Sequence, residues 1–144
     1  MKNRLINFKE FKEQILNESA VEFDKKLKKM FPSLRKDYLG YGNMVDAEDY
    51  LKYDYATIGG GDIDLRAIIK DLEKGGVSLK DIEIGALVHS DWGWEPEDLD
   101  TELHAGTLWI NTVDDKLIQK IIKKYDPDEH SFYEKFDKYR LWWD

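Results

Sequence analysis

Apolar residues return at helical spacing along much of this chain. Phe8, Phe11, Ile15 and Leu16 share one helix face, and Phe23, Leu27, Met30 and Phe31 share another. Asn17-Glu18-Ser19 between them is either a break or a polar patch within one helix. Pro32 ends the run, because the residue before a proline avoids the helical region. Asp46-Ala-Glu-Asp-Tyr-Leu has the look of a short capped helix. Asp62 or Asp64 can cap a helix that carries Leu65, Ile68, Ile69 and Leu72 on one side and stops at Gly75-Gly76. Asp114-Asp115 caps another over Leu117, Ile118, Ile121 and Ile122, ended by Asp126-Pro127. A last helix is expected over Phe132, Phe136 and Tyr139, before the terminal Leu141-Trp142-Trp143, which is expected to plug the core.

Two segments break the helical period. Residues 82–89 and 107–113 are rich in β-branched and aromatic residues and predict strands. The connection between them is too long for a tight hairpin, and long connections in compact domains are often functional. The expected architecture is α+β: one domain over residues 1–144, with several helices packed on a small, mainly antiparallel sheet. No repeat, low-complexity tract or Pro/Gly/Ser-rich linker divides the chain.

Composition narrows the classes. Hydrophobic residues make up 42% and aromatics 13%, enough for a packed core despite 36% charged residues. With no cysteine there is no disulfide framework, thiolate metal site or cysteine nucleophile. Three histidines and no Gly-x-Ser-x-Gly elbow leave hydrolase triads without support. The N-terminus turns polar at once, and no stretch approaches the roughly 18 apolar residues of a membrane span. The expectation is a cytoplasmic protein without membrane contact. A net charge of −8 argues against direct nucleic-acid binding through a broad basic surface.

The charge is segregated. Residues 81–115 hold ten acids, no Lys or Arg, and three of the five tryptophans. Residues 37–64 hold seven acids against Lys52, with five of the eight tyrosines. Residues 1–36 are basic, with Lys25-Lys26, Lys28-Lys29 and Arg35-Lys36 in a run that suits a solvated face, phosphate contact or pairing with the acidic blocks. Acids this dense repel one another and call for a partner, an ion or plain solvation.

The acid-rich connection suits recognition of a basic protein partner. Its carboxylates would steer a cationic surface while Trp92 and Trp94 anchor it. The candidate contact residues are Asp91, Trp92, Trp94, Glu95, Glu97, Asp98, Asp100 and Glu102, with Asp49, Tyr50 and Tyr53 from the second acidic block. The bland reading of the same residues is a solvated segment, with Glu95-Pro96-Glu97-Asp98 as a first helical turn. The leading functional expectation is a small inhibitor, of the immunity or phage anti-defence type, that occupies the cationic groove of a nucleic-acid-handling protein, with no cofactor and no catalytic residue of its own.

A metal-dependent enzyme is the competing expectation. His89-x-Asp91 and Glu102-x-His104 stand at the roots of the acidic connection, where paired strands would bring them together to hold zinc. Gly40-Tyr-Gly42 followed by Asp62-x-Asp64 resembles the nucleotidyltransferase pattern, which implies a magnesium site on the two aspartates. The family's Gly-Ser pair is absent, however, and a helical pattern follows the second aspartate. A third expectation is an assembly protein of a phage or mobile element, in which the acidic segment meets the basic N-terminal helix of another copy.

Overall fold

A computed structural model describes residues 25–36, 42–53, 57–58, 63–85, 87–89 and 103–143. Its frame is an antiparallel sheet of five strands in the order β1-β4-β7-β9-β8. These are β1 (Met44–Asp46), β4 (Ile82–Gly85), β7 (Thr107–Asn111), β8 (Glu129–Tyr133) and β9 (Lys138–Trp142). Two short pairs stand beside it: β2 (Thr57–Ile58) with β3 (Ile63–Asp64), and β5 (Val88–His89) with β6 (Leu103–His104). The helices are α1 (residues 25–30), α2 (Ala47–Tyr50), α3 (Leu65–Lys74) and α4 (Asp115–Tyr125). The expected α+β class with a mainly antiparallel sheet is therefore correct.

Helix ends follow local chemistry. The Asp64 carboxylate accepts from the amides of Arg66 and Ala67 and starts α3, while Gly75-Gly76 ends it, Gly76 taking φ +101°. The Asp114 carboxylate accepts from Leu117 N and starts α4. Asp126 ends α4 in the left-handed region at φ 49°, a conformation that a short polar side chain tolerates. At α2 the expected cap is only half made, because the Asp46 side chain bonds no α2 amide. Arg66 closes the turn beyond α2, donating to the carbonyls of Leu51 (2.6 Å) and Tyr53 (2.8 Å).

The sheet's register sorts residues onto two faces. Val45, Ile82, Ile84, Leu108, Ile110, Tyr139 and Leu141 share one face and form a single core with Ile68, Ile69 and Leu72 of α3 and Ile118 and Ile121 of α4. The opposite face carries Asp46, Glu83, Trp109, Arg140 and Ser131 in one row across all five strands.

The C-terminal segment departs from expectation. Residues 129–142 form a hairpin, not a helix carrying Phe132, Phe136 and Tyr139. Lys138, Arg140 and Trp142 alternate with Tyr139, Leu141 and Trp143, a period of two that only a strand satisfies. The turn at residues 134–137 ends on Asp137 at φ 52°. The expectation of a core plug holds: Leu141 and Trp143 are buried, and the Trp143 indole donates to Tyr125 O at 2.8 Å, tying the end of α4 to the sheet.

Candidate protein-docking site

The acidic connection grows from the middle of the sheet. β4 and β7 are neighbours, and the chain beyond each continues into the β5–β6 pair, so residues 82–89 and 103–111 run as two arms that pair along both parts. Between the two parts the ladder breaks at Gly85, where Gly106 N donates to Gly85 O at 3.2 Å. Asn43 repairs the break. Its side-chain oxygen accepts from Leu87 N (2.8 Å) and its amide nitrogen donates to Leu87 O (3.2 Å), so one side chain acts as a strand partner. The end of the Met44 side chain packs over Gly85, where a Cβ would lie 2.7 Å from its methyl and 2.8 Å from its sulfur and would push that side chain aside. Residues 90–102 are thus joined to the sheet through a clamped neck.

Asp91, Trp92, Trp94, Glu95, Glu97, Asp98, Asp100 and Glu102 lie outside the described residues, as do Asp62, Gly59-Gly60-Gly61 and the helix face of Phe8, Phe11, Ile15 and Leu16. The contact candidates that are described turn inward. Tyr50 has no accessible surface, and burial pushes its hydroxyl pKa far up. Tyr53 donates to Met30 O at 3.1 Å and meets the Phe31 ring edge-on at 5.3 Å. The Asp49 carboxylate accepts from both the amide (3.1 Å) and the hydroxyl (2.6 Å) of Ser33 and pairs with Lys52. Burial works to raise the Asp49 pKa, but those Ser33 and Lys52 contacts win and hold it below the usual carboxylate value. All three residues serve the joint between α1 and α2.

The strands at the roots of the acidic segment do pair, with Val88 opposite His104 and His89 opposite Leu103. His89 and His104 are thus one register step apart in the backbone. Asp91 and Glu102, the other two members of that expected zinc set, lie outside the described residues. Among the described residues, no group of three or more His, Asp or Glu is placed to hold a metal ion. Asp64 is already engaged as the α3 cap.

Below the neck, the polar face of the sheet holds a charge network that sequence reasoning missed. Asp46 and Glu83 are register partners, so two carboxylates face each other across adjacent strands, an unfavourable pairing by itself. Arg35 resolves it by bonding both, with Asp46 at 3.1 Å and Glu83 closer still. Burial opposes the Arg35 charge, but the two carboxylates more than compensate and raise its pKa further. Lys138 reaches Glu83 from β9 at 2.7 Å, and Trp109, next to Glu83 in the same row, is fully buried with its ring 5.3 Å from that of Tyr133. The basic run that begins at Lys25 therefore ends in intramolecular pairing with the second acidic block.

On the helical side, α3 and α4 enclose a solvent-open groove of about 350 Å³ lined by Lys74, Lys120 and Lys124 around Asp71. The Asp71 carboxylate accepts from Lys124 (2.8 Å) and from the Tyr125 hydroxyl (2.6 Å), and these bonds lower its pKa. The C-terminal carbonyls of α3 and Asp71 itself place negative charge in the groove, which opposes an anionic ligand. Among the described residues, no helix is long and apolar enough to cross a membrane. No family model, curated protein or solved structure matches this chain.

Proposed function

We propose that this chain is a small acidic inhibitor, of the immunity or phage anti-defence type, that acts in the cytoplasm. On this reading it docks on a basic, nucleic-acid-handling protein through residues 90–102. The observation that carries the reading is the clamped hairpin neck. The segment it holds has six carboxylates, two tryptophans and no Lys or Arg, and its roots are tied to the two central strands through β5–β6 and Asn43. An anchored acidic segment loses less freedom on binding than a free tail, and its charge favours fast encounter with a cationic groove. Because Asp49, Tyr50 and Tyr53 are engaged inside the fold, the contacts of this reading concentrate on Asp91, Trp92, Trp94, Glu95, Glu97, Asp98, Asp100 and Glu102. No cofactor and no catalytic group is required.

The test is affinity capture from host extract with the natural chain and with the Glu97→Lys, Asp98→Lys, Asp100→Lys triple variant. The expected result is a basic protein that is retained at low salt, released at half-molar salt, and lost with the triple variant. Equal capture by the variant, or retention indifferent to salt, overturns the reading.

A further inference from the structure

The two edges of the five-stranded sheet differ in a way that points to a second copy of this chain. At β1 the outward backbone groups are already engaged. Met44 exchanges both hydrogen bonds with Arg35 (2.7 and 2.8 Å), and Asp46 N donates to the Ser33 hydroxyl at 3.0 Å. That edge is closed. At the other edge, β8 pairs with β9 on one side only, and among the described residues no strand pairs with its outer side. Glu129, His130, Ser131 and Phe132 are all exposed. The strand contains neither lysine nor proline, the residues that commonly blunt an open edge. Phe132, 39% exposed, and Phe136, 40% exposed, are two of the three large apolar side chains at the described surface.

We propose that β8 is a self-association edge, pairing antiparallel with β8 of a second copy to join two five-stranded sheets into one of ten. The strand is self-complementary about Ser131. A two-fold axis there sets Ser131 opposite Ser131, His130 opposite Phe132, and Glu129 opposite Tyr133, so no like charges meet within the paired strands. Phe132, whose ring already meets that of Tyr139 at 4.6 Å and a 39° tilt, gains the partner's imidazole across the strand. Because β1 is closed, the sheet extends at one edge only, and the assembly stops at two copies rather than growing into a fibre. The same axis sends the two β5–β6 necks to opposite ends of the joined sheet. Each neck leaves from the Gly85–Thr107 end of its own strands, and antiparallel pairing turns those ends apart.

The chain lacks cysteine, which makes single-cysteine reporters clean. Directly opposed residues in an antiparallel pair have Cα atoms about 4.5–5.5 Å apart, inside the range a disulfide spans. Ser131→Cys is expected to give a disulfide-linked dimer under mild oxidation. Val113→Cys, at a 71% exposed position off the edge, is expected to stay monomeric under the same conditions. Sedimentation of the unmodified chain is expected to show a concentration-dependent dimer. Ser131→Glu gains Arg140 as its cross-strand neighbour in the monomer but opposes its own copy in the dimer, and should weaken association about fivefold or more. A chain that sediments as a monomer up to millimolar concentration, the outcome expected where β8 accepts only another protein's strand, overturns the proposal. So does Ser131→Cys cross-linking no faster than Val113→Cys, or a dimer indifferent to Ser131→Glu.

Discussion

Removing Arg35 should expose the repulsion that its guanidinium conceals. In Arg35→Met, Asp46 and Glu83 remain register partners with no cation between them. At about 5 Å and an effective dielectric near 20, two carboxylates repel by about 3 kcal/mol. The Asp46 side chain is 55% exposed, so solvent relieves most of this and leaves about 1 kcal/mol. Glu83, only 12% exposed, also loses a charge-assisted bond but keeps Lys138, which limits the further loss to about 1–2 kcal/mol. The total is about 2–3 kcal/mol, a large share of the roughly 5–15 kcal/mol that holds a domain of this kind. Urea denaturation followed by circular dichroism measures it, with a constant slope showing that only stability has changed. Asp46→Asn should weaken the natural chain by about 0.5 kcal/mol yet restore about 1 kcal/mol to Arg35→Met. Half-molar salt should shrink that difference. A loss under about 0.5 kcal/mol for Arg35→Met, or strict additivity of the two substitutions, refutes the reasoning.

Trp143→Ala should lower stability by about 3–5 kcal/mol, because it removes a buried indole and its bond to the last turn of α4; a loss under about 1 kcal/mol in the same assay counts against a core role. Asn43→Ala leaves Leu87 N and O without their partner and should destabilise by about 1–3 kcal/mol, with amide exchange rising first at Leu87; unchanged exchange there contradicts the clamp. Asp71 has a folded pKa below its ordinary 3.8, through Lys124 first and then Tyr125, so its contribution is complete above that value and fades as the pH falls through the lower folded pKa. The gap in urea midpoint between the natural chain and Asp71→Asn should therefore be constant near neutrality and close in strong acid, and a gap that survives acidification argues against the bond.

Much of the helical layer was legible because its signals are local. Asp64 and Asp114 sit one helical turn before apolar stripes, and Gly75-Gly76 and Asp126-Pro127 follow them, so four neighbouring residues at a time suffice to place α3 and α4. The centres of β4 and β7 declared themselves by β-branched content. The β8–β9 hairpin did not, because Phe132, Phe136 and Tyr139 imitate a helix stripe, and the stronger alternation from Lys138 to Trp143 was the signal to follow. The Arg35–Glu83 bond spans 48 residues, and nothing local in either segment announces it. Tyr50 and Tyr53 had the composition of an interface, yet the same amphipathic rings serve equally to seal α2 against α1.

The clamped neck also bears on how such a protein can change over generations. Asn43 and the β5–β6 pair close the hairpin below residue 90, so the entropy of that closure depends on the length of chain beyond it. That term grows slowly: doubling the thirteen residues from 90 to 102 adds only about 0.6 kcal/mol. Lengthening that stretch therefore costs little closure entropy, while losing the Asn43 side chain removes both bonds that hold Leu87. A lineage built on this frame can lengthen the segment while the neck that closes it stays as it is.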